Sequence, residues 1–274
     1  MRHMLVSALL LAPMLATAAS AGTNEFSLYD AAKSGDVAQA RQLLADGAEV
    51  NLPQHLEAPL HAAAGSGHAN VAAVLIEAGA YIDLPSLFGT PLQLASAGGH
   101  TAVAALLIAN GADVELSGSL GAPLHLAAGG GHLEVVELLI ANGVNINAMS
   151  SYGKTPLHFA AQWGQADVVE ALLNGGAEVN PDSAASPLAA AASVGHFDVV
   201  QLLIEAGADV DAPDLGCRPG YTALHYAVES RDLAAARALL AAGASPNNRG
   251  HNGETPITLA LRSGDERLID LLGR

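Results

Sequence analysis

The chain has 274 residues, 11 basic against 27 acidic, for a formal charge of −16, and is 51% hydrophobic with only 4% aromatic residues. Phosphate contacts need clustered Lys and Arg, so this balance argues against nucleic-acid binding. The single cysteine, Cys217, excludes an internal disulfide and any multi-cysteine metal site.

Residues 1–21 read as a secretory signal. Arg2 gives the positive start, Leu5–Leu11 is apolar apart from Ser7, and Pro13 breaks the run. Ala19-Ser20-Ala21 fits the cleavage pattern, with Ala16-Thr17-Ala18 as a second option. A retained anchor is the competing reading, but the run is short for a span. Cleavage would remove Arg2 and leave a mature charge of −17. The signal's style and the Ala-rich composition point to the periplasm of a Gram-negative bacterium, or to secretion. No membrane association is expected after cleavage.

From 22 to 274 the chain repeats itself. A Pro-Leu-His phrase places its Leu at 28, 60, 92, 124, 157, 188 and 224, with Ile257 last, at intervals of 32, 32, 32, 33, 31, 36 and 33. Gly-Ala recurs at 47, 79, 111, 176, 207 and 243. Repeat boundaries fall near 25–51, 52–83, 84–115, 116–147, 148–180, 181–211, 212–247 and 248–274. Within a repeat, Thr155 is placed to cap a helix whose first residue, Pro156, needs no N–H partner. Leu157, Ala160 and Ala161 form the apolar face of that helix. Gly164 closes it, and Val168, Val169, Leu172 and Leu173 then mark a second helix at helical spacing. Gly176 suits the left-handed cap. One helix pair cannot bury its own apolar face, so the repeats must stack.

Ala58-Pro-Leu-His61, Thr90-Pro-Leu-Gln93, Ala122-Pro-Leu-His125 and Thr155-Pro-Leu-His158 resemble the ankyrin-repeat signature, as do Gly67-His68, Gly99-His100, Gly131-His132 and Gly195-His196. The resemblance covers nearly the whole mature chain. It implies an all-α solenoid of about eight helix–turn–helix units with β-hairpin loops, protein binding through loop tips and the concave helix face, and no catalysis or cofactor. It also implies that eight of the 11 histidines are structural; His3 lies in the signal, and His55 and His251 lie in loops. Some exported bacterial ankyrin proteins resemble helpers, inhibitors or immunity factors of one exported enzyme, including in peroxide defence. That is the alternative to a general adaptor. Repeat 1 begins Phe26-Ser-Leu-Tyr29 and looks like an N-terminal cap. Repeat 7 has a longer loop, Asp214 to Tyr221.

Candidate chemistry is sparse. Gly153-Lys154-Thr155 lacks the Gly at 148 that a phosphate loop needs. Acidic residues are scattered without a catalytic pair, and no metal site is expected. Trp163, the only Trp, falls with Gln162 at a variable position on the concave face, where other repeats have Ser66, Gly98, Gly130 and Val194. A lone large ring beside small residues reads either as a binding anchor or as a ring laid over its neighbour repeat. Leu56, Phe88, Leu120 and Tyr152 recur every 32 residues. They form either an exposed stripe roughly 30 Å long or self-packed filler. From 43 to 217 there are 18 acidic residues and one basic residue, Lys154; from Arg218 onward there are seven basic and six acidic. The acidity serves solubility, or it draws a basic protein partner. Cys217 is either an inert surface thiol or an intermolecular partner. The protein is expected to be a monomer.

Overall fold

The computed structural model describes residues 28–51, 57–118, 121–182, 186–215 and 218–273. Met1–Ala21, His55, Leu56, Leu120 and Cys217 therefore lie outside the described residues. Contacts divide the chain into two compact bodies at Asp113, next to the boundary expected between repeats 3 and 4. A stack whose members touch only their neighbours can part at such a boundary.

The N-terminal body holds α1 (28–34), α2 (Val37–Ala45), α3 (Pro59–Gly65), α4 (Ala69–Glu77), α5 (Pro91–Ala97) and α6 (Thr101–Ala109). The C-terminal body holds α7 (Pro123–Gly130), α8 (Leu133–Ala141), α9 (Pro156–Gln162), α10 (Ala166–Asn174), α11 (Pro187–Val194), α12 (Phe197–Glu205), α13 (Ala223–Glu229), α14 (Leu233–Ala241), α15 (Pro256–Ser263) and α16 (Glu266–Leu272). Within each body odd-numbered helices pack on odd, even on even, and each pair packs on itself: α7 on α9 and α8, α9 on α10 and α11. No strand occurs among the described residues. The hairpin loops expected between repeats are turns, with single bridges Ser86–Gly89 and Gly118–Gly121.

The core follows the periodicity. Leu28, Leu60 and Leu92 in one body, and Leu124, Leu157, Leu188 and Leu224 in the other, are at most 1% exposed. Each such side chain contributes about 1.5–3 kcal/mol when buried. Paired Ala residues, such as Ala127–Ala128 and Ala160–Ala161, are fully buried and let adjacent odd helices approach. Val168, Val169 and Leu172 of α10 close the other side.

Two polar devices tie repeat to repeat. The first is the signature histidine. His61 Nδ1 accepts the Ala58 N–H at 3.2 Å, so the ring carries its proton on Nε2, which donates to Leu84 O at 2.8 Å in the next repeat. His125 does the same from Ala122 (3.1 Å) to Ala148 O (3.0 Å). Gln93 copies the first half with its Oε1, accepting from Thr90 N–H at 2.8 Å. Thr155 does stand at the N-cap of α9, but its hydroxyl turns to His158 Nδ1 at 2.9 Å instead of capping the backbone. The one lone pair of Nδ1 is shared between that hydroxyl and the Thr155 N–H, which it accepts at 3.1 Å.

The second device was not expected. One loop side chain per repeat accepts a backbone N–H from the next loop. Asn51 accepts from Tyr81 at 2.8 Å and Asp83 from Asp113 at 3.2 Å. In the C-terminal body, Asn147 accepts from Glu178 at 2.9 Å, Asn180 from Asp209 at 2.8 Å and Asp211 from Ser245 at 2.9 Å. Some of the scattered acids are therefore joints of the stack.

The histidines after Gly do not cap with their side chains. His68 Nε2 reaches back to Lys33 O at 3.1 Å, and His100 Nε2 to Gly65 O at 3.0 Å. In α10 Gln165 substitutes, donating to Gly129 O at 3.2 Å.

Candidate functional site

Trp163 is the C-cap residue of α9 and is 62% exposed. Its indole lies over the preceding helix. A methyl group added at Gly129 of α7 would stand 3.4 Å from both Trp163 Cδ1 and Phe159 Cδ1. The small residue at 129 is thus the shelf for two rings. Phe159 in turn meets His125 edge-on, with centroids 5.4 Å apart. The ring rests on its neighbour repeat and still shows most of its surface to solvent.

Gln162 is half-buried and accepts from Lys154 Nζ at 2.9 Å. That bond folds the lone cation of residues 43–217 back toward the tryptophan's helix. Gly130 is exposed and Val194 is 56% exposed, so the strip on either side of Trp163 is open. Tyr152, in the loop before α9, is 65% exposed. In the N-terminal body Ser66 is half-buried, Gly98 is exposed, and Phe88 is 68% exposed beside Leu87 at 81%. The Phe88 N–H donates to Ser86 Oγ at 3.2 Å, which holds the loop tip in a turn. Phe88 and Tyr152 are both exposed; Leu56 and Leu120 lie outside the described residues.

A second polar site was missed by motif reading. It lies at the long loop of repeat 7, where the charge changes sign along the chain. Asp214 is buried and accepts from Tyr226 Oη, and its backbone pairs with Tyr221 O (2.6 Å) and Gly220 N–H (2.7 Å). The loop is thereby pinned, and Tyr221 is held between His225, stacked at 4.7 Å, and the Arg218 guanidinium, 5.1 Å from the ring centre. Tyr221 Oη donates to Glu254 Oε2 at 2.7 Å, as does Asn252 Nδ2 at 2.7 Å. These two donors, with Arg262, hold the Glu254 carboxyl below its usual range. Burial and then the Glu254 bond push the Tyr221 phenol up. Arg218 pairs with Glu229, and Arg262 with Glu254. The result is an open cleft of about 410 Å³ lined also by Pro219 and His251. The signal present in the sequence was the run of arginines that begins at Arg218.

Among the described residues no three His, Cys, Asp or Glu side chains converge as a metal site, and no helix is long and apolar enough to cross a membrane.

Helix pairs stacked in register, joined by loop ladders and signature histidines, define a repeat protein whose surface is built for contact with other macromolecules. The chain belongs to the ankyrin-repeat family: the family described as Ankyrin repeats (3 copies) matches residues 28–118, 117–183 and 176–250. It is similar to the crystal structure of the human ASB11 ankyrin repeat domain, with 33% identity and a TM-score of 0.73 over 80% of this chain and 98% of that one. No curated protein matches. Ankyrin domains are protein-interaction scaffolds, and the fold is typically a non-catalytic module.

Proposed function

We propose that this protein is an exported ankyrin adaptor that binds a protein partner on the Trp163 face of its C-terminal body. The observation that carries the reading is the indole itself. A tryptophan 62% exposed, seated on Gly129 and flanked by exposed Gly130 and Val194, presents the chain's single indole to solvent as a large rigid apolar surface. Such rings dominate interface energetics once a partner desolvates them. Lys154 and Gln162 supply a polar rim. The surplus of acid between 43 and 217 favours encounter with a basic partner. Export rests on the Met1–Ala21 pattern, and the periplasm or the medium is where the partner would be sought.

The test uses the purified chain as bait in an extract of the exporting compartment, followed by affinity measurement with the captured partner. Trp163→Ala should weaken binding about thirtyfold, as for a residue carrying about 2 kcal/mol. Helicity should be unchanged, since the side chain fills no core. Affinity held within about twofold would remove the Trp163 face from consideration. Cell fractionation checks the address separately.

A further inference from the structure

All eight repeats place a left-handed residue at the step between the first and second helix. In seven of them it is glycine, from Gly35 to Gly264, with φ between 68° and 83°. In repeat 7 it is Arg231, at φ 58°, the one non-glycine residue with positive φ among the described residues. A side chain at such a position is disfavoured by contact of its Cβ with the backbone. Packing explains why an arginine is tolerated but not why it is there. At Gly164 a Cβ would collide with His196, which leads the next outer helix. The matching residue after repeat 7 is Asp265, whose carboxylate turns away to Arg267 at 2.9 Å. The space is therefore free, while the torsional cost remains. The Arg231 guanidinium makes only a long 3.5 Å bond to Ser263 O, and no carboxylate among the described residues lies within ion-pair distance of it. Strain kept at an exposed residue with so little intramolecular return is a mark of use.

The surroundings say what that use is. Arg231 and Arg262 line a shallow depression of about 130 Å³ together with Glu229 and Ser263. It shares Glu229 and Arg262 with the larger cleft of Arg218, Tyr221 and Glu254. Three guanidiniums thus face two carboxylates. Glu229 holds Arg218 and Glu254 holds Arg262, which orients the forks. Each guanidinium has five N–H donors, so most remain for a ligand. Three arginines against two glutamates leave one positive charge in excess here, on a chain whose net charge is −16. A long polyanion would be repelled by the rest of the molecule, whereas a short acidic segment would meet a cleft in which three guanidiniums outnumber the carboxylates of Glu229 and Glu254.

We propose that this cleft docks an acidic segment of a partner protein, its carboxylates bridging Arg231, Arg262 and Arg218. The proposal does not rest on the Trp163 face, and its test does not use that partner. A fluorescent peptide carrying four Glu among Gly and Leu is titrated with the purified chain, against the same peptide with Gln for Glu, at about 50 and about 300 mM salt. The Glu peptide should bind, more weakly at high salt, and the Gln peptide should not. Arg231→Gly and Arg262→Gln should each weaken binding about tenfold or more, as expected for loss of a charge-assisted hydrogen bond. Arg231→Gly should also raise the melting temperature by about 2–4 °C, because it restores glycine to a left-handed site. That combination, tighter fold with weaker binding, is not produced by a structural arginine. Equal affinity for the two peptides, or unchanged binding by Arg231→Gly, overturns the proposal. So does a melting temperature that falls on Arg231→Gly. Self-association at low salt, abolished by Arg231→Gly in sedimentation, would assign the cleft to the acidic repeats of a second copy and overturn the choice of partner.

Discussion

Ser96 occupies the second small position of α5, where α3 has Ala64, α7 has Ala128 and α9 has Ala161. It is fully buried, and its Oγ has no hydrogen-bond partner. An unsatisfied buried hydroxyl costs about 1–3 kcal/mol. Alanine fits the same place in the neighbouring repeats, so little packing is lost with the oxygen. Ser96→Ala should therefore stabilise the chain by about 1 kcal/mol in denaturant melts. A loss of stability would mean that the hydroxyl is satisfied by an ordered water and that repeat 3 tolerates it for that reason. Trp163 shows what single-residue reading can reach. Its position and exposure were readable from the register of the repeat. Its seat on Gly129 was not, because the shelf belongs to a residue 34 positions earlier whose only signal is the lack of a side chain.

At the scale of the element, glycines that look alike in sequence differ in what they protect. Gly164 and Gly176 both have positive φ, 71° and 95°. A Cβ at Gly176 would meet nothing within 4 Å, whereas at Gly164 it would come 2.6 Å from His196 Nδ1. Gly176→Ala should then cost only the backbone term, about 1 kcal/mol. Gly164→Ala should cost about 2–4 kcal/mol, because it also pushes His196 out of place between repeats. Chemical denaturation of both variants measures the difference, and equal losses would show that the histidine yields freely. The helix pairs were legible because Leu or Ile recurs at one place in all eight repeats, Pro at the first turn in six and a closing Gly in seven. The loop ladder of Asn51, Asp83, Asn147, Asn180 and Asp211 was not, since each acceptor looks like an ordinary loop residue until its N–H donor about 30 residues later is known. The arginine cleft escaped for a similar reason. Its members come from a loop, a helix end and a turn spread over residues 218–262, and no local motif joins them.

For the molecule as a whole, the repeated histidine makes acid sensitivity a property of the array. His61 in the N-terminal body and His125 and His225 in the C-terminal body all have pKa values lowered from the ordinary 6.5, with burial as the leading cause. Each ring accepts a backbone N–H on Nδ1, at 3.0–3.2 Å, and protonation would turn that acceptor into a donor. The folded chain therefore binds fewer protons than the unfolded chain once the pH drops toward 6.5. The stability these rings confer is complete above that value and is lost as pH falls through their lowered folded values. Thermal melts from pH 7.5 to 5, at about 150 mM salt to screen surface charge, should show a falling midpoint that begins near 6.5. Gln93 already performs the same acceptor role in repeat 3, with no titrating group. His125→Gln should consequently fold and should flatten part of the acid limb, at a lower pH 7.5 midpoint because the Nε2 bond to Ala148 O is lost. An acid limb as steep as that of the parent would show that His125 is not among the groups whose protonation loosens the stack.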